Sequence, residues 1–161
     1  MKINSLKKLC AALLVALILT FSAQTPALAE ESAAQNITLT VGSSTMQVGD
    51  KEISIADGVP ILQNDRIYVP LRAVAEAFGA EVDYDSKSRD VTILCGETTV
   101  IMNTLASVYT VNSALKWMDV APYINSSSRT MVPIRFVSDA LGYSVENSTN
   151  EKGDSVVTIS R

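Results

Sequence analysis

The sequence predicts an α+β fold: two tandem repeat units of antiparallel β-hairpins, each packed on one short α-helix. Three observations predict it. The segment 69–79, which begins Val69-Pro70, returns as the segment 132–142, which begins Val132-Pro133, and such a repeat indicates a repeated structural unit. Within each copy the apolar residues recur at helical spacing. Around the copies, apolar and polar residues alternate as in β-strands.

Each repeated segment predicts one short helix. Pro70 and Pro133 suit a first helical position, where the missing N–H costs no hydrogen bond. Gly79 and Gly142 suit the left-handed residue that ends a helix. The apolar residues of the first copy fall on one helical face: Leu71, Val74, Ala75 and Phe78. A helix this short is marginal by itself, so we expect it to pack on a sheet.

The remaining segments predict about ten strands. Alternation favours strands at 37–41, 45–48, 52–55 and 67–69, between the copies at 98–103 and 108–111, and in hairpins over 80–94 and 143–159. We therefore expect one domain over residues 37–161, with repeat unit one at about 37–95 and repeat unit two at about 96–161.

The first 29 residues have the pattern of a secretory signal peptide. Three lysines precede an apolar stretch at 9–21 that is too short to span a bilayer as a helix, and Ala27-Leu28-Ala29 offers a cleavage site. Residues 30–36 predict a flexible lead. We expect a secreted, extracellular protein with no membrane span after cleavage, and non-covalent association with a cell wall stays open.

The charge argues against nucleic-acid binding, and the cysteine content excludes a disulfide within the mature chain. The three lysines are the only charges before residue 30, so cleavage takes the formal net charge from −4 to about −7. An acidic chain without a basic run is a poor candidate for nucleic acid, whose phosphates select Lys and Arg. Cys95 is then the sole cysteine, which excludes an intramolecular disulfide. It is either a small buried apolar residue or pairs between molecules.

Each predicted helix carries an arginine in its first turn, Arg72 and Arg135, where the helix dipole disfavours a cation. An acid follows four residues later in both copies, Glu76 and Asp139, but such a pair contributes only a few tenths of a kcal/mol. The favoured interpretation is structural: the guanidinium also reaches carbonyls or acids of neighbouring turns. The alternative is that it grips the carboxylate or sulfate of a ligand.

These motifs resemble a known family. The segments 57–61, 64–72 and 77–80, with their Val-Pro-Leu-Arg and Phe-Gly-Ala phrases, are similar to the copper amine oxidase N-terminal domain, also called the stalk domain. The resemblance covers about residues 37–161 and includes both copies. Its structural signature here is Pro70, Arg72, Gly79, Pro133, Arg135 and Gly142.

The resemblance implies an exported bacterial module, often joined to other envelope modules, and it does not imply amine oxidation. In the oxidases the copper ligands and the quinone-forming tyrosine belong to a separate catalytic domain. The sequence departs from the family pattern at Asp65, where glycine is usual, at Tyr84, where tryptophan is frequent, and at Asn147, where that aromatic residue recurs.

No catalytic set is apparent in the sequence. The chain has no histidine, which excludes His-dependent triads and His-based copper or zinc sites. Asp83, Asp85 and Asp90 surround one turn, but the spacing of an EF-hand calcium loop is not met. We therefore predict no catalytic residue, cofactor or metal site, and a weak surface calcium site at these aspartates is the alternative.

The aromatic residues give the best indication of binding. Trp117 and Tyr123 flank the turn at 119–122, where burial is least assured, and form the candidate binding surface. The alternative is a purely structural role, in which both side chains pack on the face of a sheet. We predict a secreted, non-catalytic cell-envelope module with a binding or spacer role toward cell-wall polysaccharide or another envelope protein. The alternatives are a small carboxylate-dependent hydrolase or metal-dependent enzyme, and an inhibitor or partner subunit of an exported protein.

Overall fold

The computed structural model describes residues 36–160. The predicted signal peptide and all but the last residue of the predicted lead lie outside this range. The described chain contains two α-helices, one 3-10 turn and fourteen strands. Their bounds are β1 Ile37–Thr40, β2 Thr45–Val48, β3 Lys51–Ser54, the 3-10 turn Ala56–Gly58, β4 Ile61–Gln63, β5 Arg66–Pro70, α1 Leu71–Ala77, β6 Glu81–Asp85, β7 Asp90–Cys95, β8 Thr98–Asn103, β9 Val108–Val111, β10 Ala114–Trp117, β11 Tyr123–Ile124, β12 Thr130–Pro133, α2 Ile134–Leu141, β13 Ser144–Thr149 and β14 Ser155–Ser160.

The predicted α+β class, with tandem hairpin units each on its own helix, is wrong. The described residues form a mostly-β fold of three antiparallel sheets. The first sheet has the order β13-β14-β1-β2-β3, the second sheet β10-β9-β8-β7-β6, and the central sheet β11-β12-β5-β4. The two helices are short connections between sheets, which is why they do not balance the strands.

Each sheet combines strands from both copies of the repeat. The hairpin β13–β14, which follows the second helix, continues into the first sheet because β14 pairs with β1. The hairpin β6–β7, which follows the first helix, continues into the second sheet because β7 pairs with β8. Each hairpin therefore extends a sheet started by the other copy, and no hairpin stands alone on its helix.

The two copies are related by an approximate twofold axis. Val69 of β5 pairs directly with Val132 of β12, the equivalent residue of the other copy. The shift that carries residue 69 to residue 132 also carries β2 onto β9 and β3 onto β10. The strand orders of the first and second sheets correspond under the same shift. The repeat is thus visible in space as two equivalent five-stranded sheets around a shared central sheet.

One apolar core joins these sheets to the helices. Val69 and Val132 have no exposed surface, and neither do Val74 of α1 and Val137 of α2. The predicted stripe is confirmed in the first copy, where three members are buried and Phe78 is half-buried. Phe78 stacks on Tyr143 with ring centroids 4.0 Å apart, which links the ends of the two helices. Burial of the stripe stabilises helices too short to persist alone.

Each helix begins one residue later than predicted, whereas the glycine that follows it is as predicted. Pro70 and Pro133 have ψ of 107° and 139°, so both are extended residues that end a strand, and each helix begins at the next residue. Gly79 and Gly142 have φ of +79° and +74° and follow the helices in the left-handed region, as predicted. Within residues 36–160, no helix is long and apolar enough to cross a membrane.

Candidate functional site

The most exposed large apolar side chains of the second sheet lie together on its edge strand, β10. Trp117 is 74% exposed and Leu115 is 62% exposed. Both belong to the hairpin β9–β10, whose turn residues Asn112 and Ser113 have φ of +47° and +70°, as a two-residue hairpin turn requires. Residues two apart in a strand project from the same face, so the two side chains form one apolar strip.

The same two residues direct their backbone groups away from the sheet. In an antiparallel pair, alternate residues hydrogen-bond to the partner strand. Met118 donates its backbone N–H to Ser107 just beyond this pair of strands, which places the even-numbered residues of β10 on the bonded side. Leu115 and Trp117 are therefore on the free edge, since β10 ends the strand order of its sheet.

The equivalent edge strand of the other sheet provides an internal comparison. Under the repeat, Leu115 and Trp117 correspond to Glu52 and Ser54 of β3, which is also a fully exposed edge strand. A polar edge resists pairing with other chains. The fold therefore does not require an apolar edge at this place, and the apolar strip is particular to β10.

The second residue of the predicted binding surface, Tyr123, lies in a different environment. It belongs to β11 in the central sheet and is half-buried. Its ring packs edge to face on Tyr68, with centroids 5.2 Å apart. Burial is the larger cause that raises the pKa of Tyr123, and the charge interaction with Tyr68 raises it further. Trp117 and Tyr123 thus lie on separate sheets, and Leu115, which sequence reasoning missed, is the residue that accompanies Trp117.

The arginines of the two repeats divide into two kinds. Arg66 and Arg129, at the turns before each Val-Pro, bridge distant segments: Arg66 Nε lies 2.5 Å from Asp119 Oδ2, and Arg129 Nη2 lies 2.7 Å from Asp57 Oδ2. In contrast, within the described residues the guanidinium of Arg72 in the first helix bonds only to Glu76 of the same helix, at 3.3 Å. The cross-links expected from the helix arginines are therefore made by the turn arginines.

The charge of Arg66 affects its partner. The hydrogen bond from the guanidinium is the main cause that lowers the pKa of Asp119. Burial opposes it, and the charge of Arg66, the backbone N–H of Val120 and the charge of Arg135 lower the pKa further. Arg135 therefore lies close enough to act on this carboxylate. Among residues 36–160, its own guanidinium makes no hydrogen bond or ion pair.

The remaining reactive residues have structural surroundings. Cys95 is half-buried, with its Sγ atom 3.3 Å from the Tyr143 hydroxyl. Asp90 accepts a hydrogen bond from Asn103 Nδ2 at 2.8 Å. This bond, followed by a hydrogen bond with the Ser88 side chain, lowers the pKa of Asp90. Asp85 accepts the backbone N–H of Lys87. In the described part of the chain, no three Cys, Asp or Glu side chains are grouped so as to hold a metal ion.

Comparison with known proteins identifies the family. A model of the copper amine oxidase N-terminal domain matches residues 51–156. The chain belongs to this family. In the family this domain is a non-catalytic, stalk-like module, and the match extends from β3 into β14, so it includes both helices and their Val-Pro-x-Arg phrases. No curated protein matches the chain.

Proposed function

We propose that this copper amine oxidase N-terminal domain protein is a secreted, non-catalytic cell-envelope module that binds another envelope protein through the edge strand β10. The observation that carries the proposal is the pair of exposed side chains on that edge, Trp117 and Leu115. Family membership supports the non-catalytic role, and the signal-peptide pattern of residues 1–29 supports secretion.

The chemistry of the edge favours a protein partner. An added strand pairs with free backbone N–H and C=O groups while its alternate side chains meet those of the edge. At β10 the outward backbone groups and the exposed apolar side chains belong to the same residues, Leu115 and Trp117. A sugar would stack on Trp117, but it would leave the backbone groups and Leu115 unused.

The test replaces the strip with the residues of the equivalent strand. The double variant Leu115→Glu/Trp117→Ser gives β10 the polarity of β3, so the fold should persist. Immobilised wild-type protein should retain a protein from the envelope fraction of the producing organism, and the double variant should lose at least about tenfold of that retention, because aromatic anchors dominate interfaces. Thermal unfolding checks that the variant is folded.

A matched control and a digestion complete the experiment. The variant Glu52→Ala/Ser54→Ala changes the other edge strand and should retain the partner like the wild type. Retention that is unaffected by the β10 variant would contradict the proposed surface. Binding that survives digestion of the envelope fraction with protease but not with glycan hydrolases would instead identify cell-wall polysaccharide as the ligand.

A further inference from the structure

Two cavities flank the central sheet, and they are equivalent under the repeat. One has a volume of about 430 Å³ and lies beside α1, and the other has a volume of about 550 Å³ and lies beside α2. Each contains the helix arginine of one copy and the turn arginine of the other: Arg72 with Arg129, and Arg135 with Arg66. Both volumes are within the range of small-molecule sites.

The charges of the two cavities are satisfied differently. Beside α1, both arginines are neutralised by acids, Glu76 and Asp57. Beside α2, Arg66 is paired with Asp119, whereas Arg135 makes no hydrogen bond or ion pair among the described residues, although its charge acts on Asp119. The acid four residues on is Asp139, whose side chain is one methylene shorter than that of Glu76 and forms no ion pair with any residue in 36–160.

Helix stability does not explain Arg135. It is the second residue of α2, where the positive end of the helix dipole disfavours a cation. Arg72 occupies the same unfavourable place but is compensated by its ion pair with Glu76. An unpaired guanidinium at a cavity is suited to bind a carboxylate through two parallel hydrogen bonds.

The wall around Arg135 is rich in neutral hydrogen-bonding groups. Asn147 occupies the place that Tyr84 has in the other cavity, and four hydroxyl side chains line the same cavity: Ser138, Ser148, Thr149 and Ser155. A cavity of about 550 Å³ is too large for a carboxylate alone, and amide and hydroxyl groups are donors and acceptors for further hydroxyls. One carboxylate, that of Asp65, also lines the wall and opposes an anion.

We propose that the cavity beside Arg135 binds a carboxylate-bearing, polyhydroxylated ligand, which is the chemistry of an acidic sugar. Arg135 binds the carboxylate, and Asn147 with the neighbouring hydroxyl side chains binds the hydroxyl groups. The site is independent of the β10 edge, because none of the residues that line the cavity belongs to β10. The two proposals therefore fail or succeed separately.

The probe for the test is D-glucuronate, with D-glucose as its uncharged counterpart, titrated into the isotope-labelled protein and followed by NMR chemical shifts. Glucuronate should give saturable shifts at residues 135, 138 and 147–149, and glucose should bind at least about tenfold more weakly, because the charge-assisted pair is lost. Arg135→Gln should weaken glucuronate binding by about tenfold or more.

Two further variants sharpen the result. Arg72→Gln removes the equivalent arginine of the other cavity and should leave glucuronate binding unchanged, whereas Asp65→Asn should strengthen it by removing a repulsion. Arg135 is exposed, so its variant should fold, and its melting temperature verifies this. Equal weakening by Arg72→Gln and Arg135→Gln, equal binding of glucose, or the absence of saturable shifts at these residues would overturn the proposal.

Discussion

At the residue scale, the two kinds of arginine show how one repeated motif serves different purposes. Arg66 and Arg129 tie the central sheet to segments far away in the sequence, at Asp119 and Asp57. In the part of the chain that the structure describes, the helix arginines make no such link. Sequence spacing showed the acid four residues after each helix arginine, but it could not show the long-range acids, because they come from loops whose positions depend on the complete fold.

Asp119 gives a prediction with a defined pH dependence. Its pKa in the folded protein is lowered, chiefly by Arg66, so its stabilisation is present above the ordinary aspartate pKa of about 4 and disappears as the pH falls through the lower folded value. Asp119→Asn should lower the free energy of unfolding at pH 7 by about 1 kcal/mol or less, since the pair is partly exposed. Urea denaturation at several pH values measures it.

The control for this prediction is Asp50→Asn, because Asp50 lies in an exposed turn and makes no ion pair among the described residues. Its stability difference from the wild type should stay small at every pH. The difference for Asp119→Asn should shrink as the pH falls through the lowered folded pKa and vanish at the acid end, where the carboxyl is protonated in both states. A difference that persists at that pH would mean that the ion pair is not its source.

At the element scale, the end of the first helix is held by a specific pair of hydrogen bonds. Ala80 donates its backbone N–H to the carbonyl of Ala75, and Gly79 donates to that of Glu76. This is the Schellman arrangement, which requires a left-handed residue, and Gly79 has φ of +79°. The sequence predicted this element well, because the glycine and the apolar stripe are local signals.

Replacing this glycine should be costly for a conformational reason. Gly79→Ala should lower the free energy of unfolding by about 1–2 kcal/mol, because a side chain disfavours the left-handed region. Apart from the adjoining residues of the chain, no atom lies within 4 Å of a Cβ built at this position, so a steric clash does not contribute. Gly79→Asn is the matched control and should cost less, since asparagine tolerates this conformation. Equal effects of both variants in urea denaturation would contradict the explanation.

The strand β10 marks the limit of prediction at this scale. Its partner β9 follows the predicted range 108–111, but Ala114-Leu115-Lys116-Trp117 was not predicted as a strand. The turn before β10 is formed by Asn112 and Ser113, which adopt positive φ. This pair lacks the glycine that usually marks a two-residue hairpin turn in a sequence, so the hairpin was not recognised. Trp117 could be chosen from the sequence because it is aromatic. Leu115 could be recognised only once the position and register of β10 were known.

At the scale of the whole molecule, the repeat is more closely interwoven than its sequence suggests. A tandem repeat predicts two units side by side. The pairing of neighbouring strands in a hairpin is local, so the hairpins could also be predicted from the sequence. The pairing of β14 with β1 and of β12 with β5 joins residues that are far apart in the chain. Alternation marks a strand but does not identify its partner, which is why the predicted hairpin-on-helix units were wrong.

This interweaving predicts a single cooperative unfolding transition. Ile37 of β1 and Ile93 of β7 lie in different sheets and have no exposed surface. Each substitution to alanine should lower the free energy of unfolding by about 2–5 kcal/mol through loss of buried apolar contact. Because each sheet contains strands from both copies, both variants should shift the midpoint of the same transition in urea, with far-UV circular dichroism and Trp117 fluorescence coincident. If Ile37→Ala instead separated the circular dichroism transition from that of Trp117 in the second sheet, the two halves would be independent folding units.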